Sequence, residues 1–172
     1  MRRHPREISD AHTLPTERAR ARVSAYVYGN ILVLGAVATA TPDTLHNGHA
    51  ALVVIATTVT TYAAHVLAHA VGRSVGEEED PETNAEELRD AMPIITSGSA
   101  PTLLLILAWL TEYDGRMLQL IAAGIVVLRL AGIGHLVSHL SGRPLDRRSR
   151  LVGLIIAGIS SVIVVFKVWL LH

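Results

Sequence analysis

Five long apolar runs alternate with short polar segments along this chain, at about residues 23–41, 49–71, 93–111, 117–140 and 151–171. Each run is close to the roughly 20 residues that a helix needs to cross a bilayer core. The pattern predicts an all-α fold: a polytopic membrane protein of five transmembrane helices. Residues 1–22 form a basic tail, 23–172 a single helical bundle, and 73–92 an acidic loop within it. Thr41-Pro42-Asp43 and Glu112-Tyr113-Asp114-Gly115 read as tight links between antiparallel neighbours.

Composition agrees with the pattern, since half the residues are hydrophobic, only 17% are charged and the mean hydropathy is +0.39. The formal net charge is zero, yet the arginines are unevenly placed. Twelve fall on the segments that share a side with the N-terminus (Arg2, Arg3, Arg6, Arg18, Arg20 and Arg22, then Arg73 and Arg89, then Arg143, Arg147, Arg148 and Arg150), and Arg116 alone lies on the opposite side. Cytoplasmic loops carry the excess of basic residues, so the N-terminus is expected inside and the C-terminus outside. No short apolar region with a small-residue cleavage site follows the tail, so the first span is expected to stay in the mature chain. Arginine outnumbers lysine 14 to 1 and alanine is abundant, which suits a bacterial inner (plasma) membrane. There is no cysteine, which removes disulfides, thiolate metal sites and thiol nucleophiles.

The link 73–92 holds eight acids against two arginines, and Thr83-Asn84-Ala85-Glu86 has the spacing of a capping box opening a short helix. Its acids are expected to pair with the basic tail and the 143–150 loop, or to dock a cytoplasmic partner. The arginine-rich tail points to anionic inner-leaflet lipid and not to nucleic acid.

His65-Val-Leu-Ala-His69-Ala-Val-Gly72-Arg73 returns as His135-Leu-Val-Ser-His139-Leu-Ser-Gly142-Arg143, an offset of 135 − 65 = 70 residues. The same offset brings the apolar runs into register, which suggests a parallel duplication of a two-helix hairpin with the fifth span outside it. Histidines at i and i+4 share one helix face. Facing pairs could hold Zn²⁺ or another divalent transition metal, or handle protons near neutral pH. Haem fits poorly, because four histidines exceed its need and the fourth span lacks an aromatic lining. A helix ending in Gly-Arg is also an ordinary membrane stop, so interfacial histidines are the competing account.

Thr58 and Thr61 continue the His65–His69 face as a polar stripe, either lining a wet path or bonding to their own helix. Tyr26, Asn30, Ser97 and Ser99, with Thr96, are expected at similar depth, where their oxygens could accept the second N–H of the histidines. Pro101 frees backbone carbonyls in the third span. Arg129 lies within the fourth span with no intramembrane acid to match it, so its partner is expected among carbonyls, hydroxyls, water or a bound anion. Gly153, Ala157 and Ser161 form a small-residue stripe suited either to a homo-oligomer contact or to packing inside the bundle.

No metalloprotease motif, nucleophile elbow or phosphate loop is present. The expected function is therefore a small transport or channel protein for protons or a divalent metal, acting through His65, His69, His135 and His139. A membrane scaffold or regulator is the alternative, and a haem- or metal-dependent membrane enzyme is the third.

Overall fold

A computed structural model describes residues 16–73, 81–141 and 147–171. All regular structure among them is helical: α1 (Thr16–Ala38), α2 (Pro42–His46), α3 (His49–Arg73), α4 (Pro81–Leu110), α5 (Gly115–Ala131), α6 (Ile133–Ser141) and α7 (Arg147–Leu171). Three stretches are long and apolar enough to cross a membrane, Arg18–Ala38, His49–Gly72 and Ala85–Leu110, and Arg150–Ile163 is a shorter apolar stretch.

Polar caps set the short links. Thr41 opens α2 with a capping box in which its hydroxyl accepts from the Thr44 N–H while the Thr44 hydroxyl accepts from the Thr41 N–H. Asp114 accepts the N–H groups of Arg116 and Met117 at 2.9 and 3.4 Å, satisfying the orphan donors at the start of α5. Between α2 and α3 the chain turns at Gly48 with φ of 76°, where a side chain is strained, and the Trp109 ring lies against it.

α1 and α4 pack side by side at the centre. α3 lies against both, α5 also lies against both, and α3 and α5 do not touch among the described residues. α7 closes the bundle against α5, α6 and α1. The core runs through Val33, Val37, Val54, Leu105, Val126 and Leu130, all buried. Large apolar side chains such as Leu52, Val59, Leu103, Leu128 and Val162 point outward, the surface expected of a bundle solvated by lipid.

Two expectations change. The run 117–140 is not one helix: α5 ends at Ala131, Gly132 caps it by donating to the carbonyls of Leu128 and Leu130, and α6 starts anew at Ile133. The Gly132 carbonyl then accepts from the N–H groups of His135 and Leu136. The apolar pattern continues across this glycine, so hydropathy alone does not reveal the break. The acidic link also differs, because α4 begins at Pro81 and runs unbroken to Leu110 through Pro93 and Pro101. Thr83 therefore lies inside the described length of α4 and is not where a separate short helix opens.

Candidate functional site

At the end of the bundle that carries the α1 N-terminus, α1, α3 and α4 leave an open cavity of about 310 Å³. From α1 come Arg18 and Ala21; from α3, His65, Val66 and His69. α4 adds Glu86, Glu87 and Asp90. Helical spacing explains the set: positions four apart on α3 and three or four apart on α4 repeat on one face.

Ion pairs fix the α1 and α4 sides of the cavity. The Arg18 guanidinium donates to Glu86 at 2.7 Å and to both oxygens of Asp90 at 3.0 and 3.2 Å, and Arg22 donates to Asp90 at 2.6 Å. The Asp90 side chain is only 10% exposed, so these charge-assisted bonds are what make its burial tolerable. The α3 side holds the two imidazoles, with ring centroids 4.6 Å apart and planes inclined at 57°. His69 Nδ1 stands 4.0 Å from Glu87 Oε1, an ion pair whenever the imidazole is protonated.

Above the cavity the helix interfaces hold buried polar groups. Thr58, Thr61, Ser97 and Asn30 are all buried. Thr58 donates back to the Val54 carbonyl and Ser97 to that of Ile94, while Ser99 donates to Thr96. The Asn30 amide donates to the Tyr26 carbonyl at 2.8 Å, and its Oδ1 is buried with no partner. α3 approaches α4 closely where Thr58 meets Gly98, a position with no room for a Cβ.

Arg129 is held at the junction of α1, α4 and α5. Its Nη1 donates to the carbonyls of Ser97 at 3.1 Å and Thr96 at 3.2 Å, and its own carbonyl accepts from the Tyr26 hydroxyl at 3.2 Å. Tyr26 thereby serves the end of α5 and not the histidines.

The two histidine pairs are not brought together. His65 and His69 lie on α3 and His135 on α6, with His139 following on α6 although its side chain is outside the described residues; among the described residues α3 and α6 have no contact with each other. Among the described residues no three histidine, aspartate or glutamate side chains are grouped to hold a metal ion. The reason is architectural, because α3 and the α5–α6 pair lie on opposite flanks of the α1–α4 pair. Gly153 and Ala157 are buried within the chain, with the Gly153 backbone against the Ala131 carbonyl and Ile133, while the Ser161 hydroxyl donates to Ala157.

Arg18, Arg22, Glu86, Glu87 and Asp90 did not stand out individually in the sequence. Their collective signal was the acidic excess of the 73–92 link facing a basic tail; residues 142–146, in the second basic loop expected to pair with that link, lie outside the described residues. Compared with protein-family models, curated proteins and solved structures, the chain matches none of them.

Proposed function

We propose that this chain is a five-span membrane transport or channel protein, N-terminus inside, that takes protons or a divalent metal ion from the cytoplasmic side at the His65–His69 cavity. The observation that carries the reading is the cavity itself: two imidazoles in ring contact share one opening with three carboxylates, at the end of a bundle whose interior above them is lined by buried polar groups. Imidazoles titrate near neutral pH, and the nearby carboxylates would draw in cations. Protons suit the site better than a metal, since among the described residues no three metal-binding side chains are grouped there, with Glu87 4.0 Å from His69. The arginine asymmetry supports the orientation, with the cavity on the basic side. The arrangement of α3 and α5 on either side of the α1–α4 pair is what a duplicated parallel hairpin would give. α5 with α6, and α7, then supply the fourth and fifth spans, in a bacterial inner membrane with anionic lipid at the basic end.

The non-transporting scaffold reading keeps one observation in its favour, because the hydroxyls of Thr58 and Ser97 are bonded to their own helices. Purified protein in liposomes of phosphatidylethanolamine and phosphatidylglycerol, loaded with a pH-sensitive dye, separates the two. Transport predicts proton flux that falls at least tenfold in the His65→Ala, His69→Ala double variant while the helical content is unchanged. Absence of flux in the folded wild type, with and without added Zn²⁺, would establish the scaffold reading instead.

A further inference from the structure

We infer that the seam between α4 and α5 docks a membrane-spanning helix of another protein, one that carries an aspartate or glutamate at mid-depth, with Arg129 as its counter-ion. The inference goes beyond transport and rests only on the membrane placement of the bundle. Depth is the first argument. Arg129 Nη1 donates to the carbonyls of Thr96 and Ser97, and these residues lie at the middle of the apolar stretch Ala85–Leu110. The two bonds hold the guanidinium away from both headgroup layers, where arginines near helix ends reach. The residue is nevertheless partly exposed. Carbonyls accept its hydrogen bonds without opposing its charge, and a charge at that depth is costly unless protein, water or a partner faces it.

The chain supplies no acid for it. None of the five apolar runs contains an aspartate or a glutamate. Neither this copy nor a second one can therefore bring a carboxylate to that depth on a spanning helix.

The surroundings of Arg129 select the occupant. α4 and α5 run antiparallel, with Arg129 bonded to Ser97 at one level and Gly115 beside Ala108 at another. Beside this seam α4 presents Met92, Thr96, Leu103 and Leu107, spaced by four, seven and four residues and all exposed. α5 presents Ile121 and Leu128, seven apart and also exposed. Apolar surface thus extends along the helices on both sides of the charge. A lipid or fatty acid carries its charged group at one end and matches half of such a surface. A spanning helix with a central acid matches all of it, and a charge-assisted bond between helices adds specificity to the apolar contact.

Energy transfer at pH 8 in phosphatidylcholine vesicles, between the labelled full chain and a labelled synthetic peptide, tests this. The peptide is a spanning helix of about 20 leucine and alanine residues with one central glutamate. Wild type should bind it saturably, and at least tenfold more tightly than the same peptide with a central leucine or with its glutamate moved two turns toward one end. Arg129→Gln should lose that tenfold preference. Thr96→Trp, which blocks the seam at the depth of Arg129 and keeps the guanidinium, should abolish binding. Circular dichroism confirms that each variant is folded. Equal binding of the glutamate and leucine peptides by folded wild type, or a preference that survives either substitution, overturns the inference. Oleate binding or self-association that depends on Arg129, without a preference for the glutamate peptide, would assign the seam to a lipid or to a second copy and overturns it too. Extraction of the chain from vesicles by alkaline carbonate would instead overturn the membrane placement on which the inference rests.

Discussion

Arg129 donates to the Ser97 carbonyl, the backbone acceptor that Pro101, four residues further along α4, leaves without a donor. Each residue alone is a defect in an apolar helix. An unpaired arginine costs at least about 2.5–3.5 kcal/mol on insertion scales, and a bare carbonyl in hydrocarbon costs several more. Together they satisfy each other, with no carboxylate involved.

This pairing makes Arg129 and Pro101 thermodynamically coupled. Arg129→Leu should destabilise the bundle by about 1.5–3 kcal/mol, the range for hydrogen bonds to charged groups. In a Pro101→Ala background, where an N–H again reaches Ser97, the loss should be smaller by about 1 kcal/mol. Unfolding in mixed micelles across the four-member cycle measures the coupling; an equal loss in both backgrounds would show that Arg129 acts through something other than the freed carbonyl.

The contact between Gly98 and Thr58 predicts a suppressor. Gly98→Ala forces a methyl group into the Thr58 side chain and should cost about 1–3 kcal/mol, as overpacking does. Thr58→Ala removes the hydroxyl and methyl that it meets and should restore most of that loss. Thermal stability of the two single variants and the double variant decides; a double variant no better than Gly98→Ala would mean the helices clash elsewhere.

Gln119 closes the far end of α1. Its amide donates to the carbonyls of Val37 at 2.9 Å and Ala40 at 3.0 Å, in the last turn of α1 and just beyond it, where the Val37 carbonyl also accepts from the Ala40 N–H at 3.2 Å. Gln119→Leu keeps the bulk and loses both bonds, and should destabilise by about 1–3 kcal/mol. Amide hydrogen exchange should accelerate around residues 37–41 and stay unchanged at the cavity end. Uniform acceleration across the chain would contradict a local capping role.

Gly48 and Gly124 should respond in opposite ways to alanine. At Gly48 the φ is positive and a Cβ would lie 2.8 Å from the Trp109 ring, so Gly48→Ala should lose about 1 kcal/mol or more. At Gly124 nothing lies within 4 Å of the added atom, and the residue is inside α5. Gly124→Ala should gain up to about 1 kcal/mol from helix propensity. Paired melting curves in one detergent check both signs.

The long helices were legible because hydropathy reads burial from water, and lipid and protein interior both satisfy it. The same blindness hid the Gly132 break, since Ala131-Gly132-Ile133-Gly134 is as apolar as a continuous helix would be. Arg129 was legible as a residue that needed carbonyls and Pro101 as one that frees them, but their meeting depends on the facing of α4 and α5. The histidine repeat was visible at once, and its reading failed at the step from equal depth to proximity. α3 and the α5–α6 pair lie on opposite flanks of the α1–α4 pair, and spacing along a chain carries no sign of that. Asp90 shows the reverse case, where the charge balance of whole segments anticipated a pairing that its immediate neighbours did not.

α1 packs on α3, α4, α5, α6 and α7. α1 is made before each of these helices, and every later long helix among the described residues meets it. The bundle can grow by accretion on a resident template, each arriving helix docking before the next emerges. A lesion in the middle of α1, such as a bulky residue at Ala25 or Val33, would therefore compromise each later docking step and mark the nascent chain for quality control early.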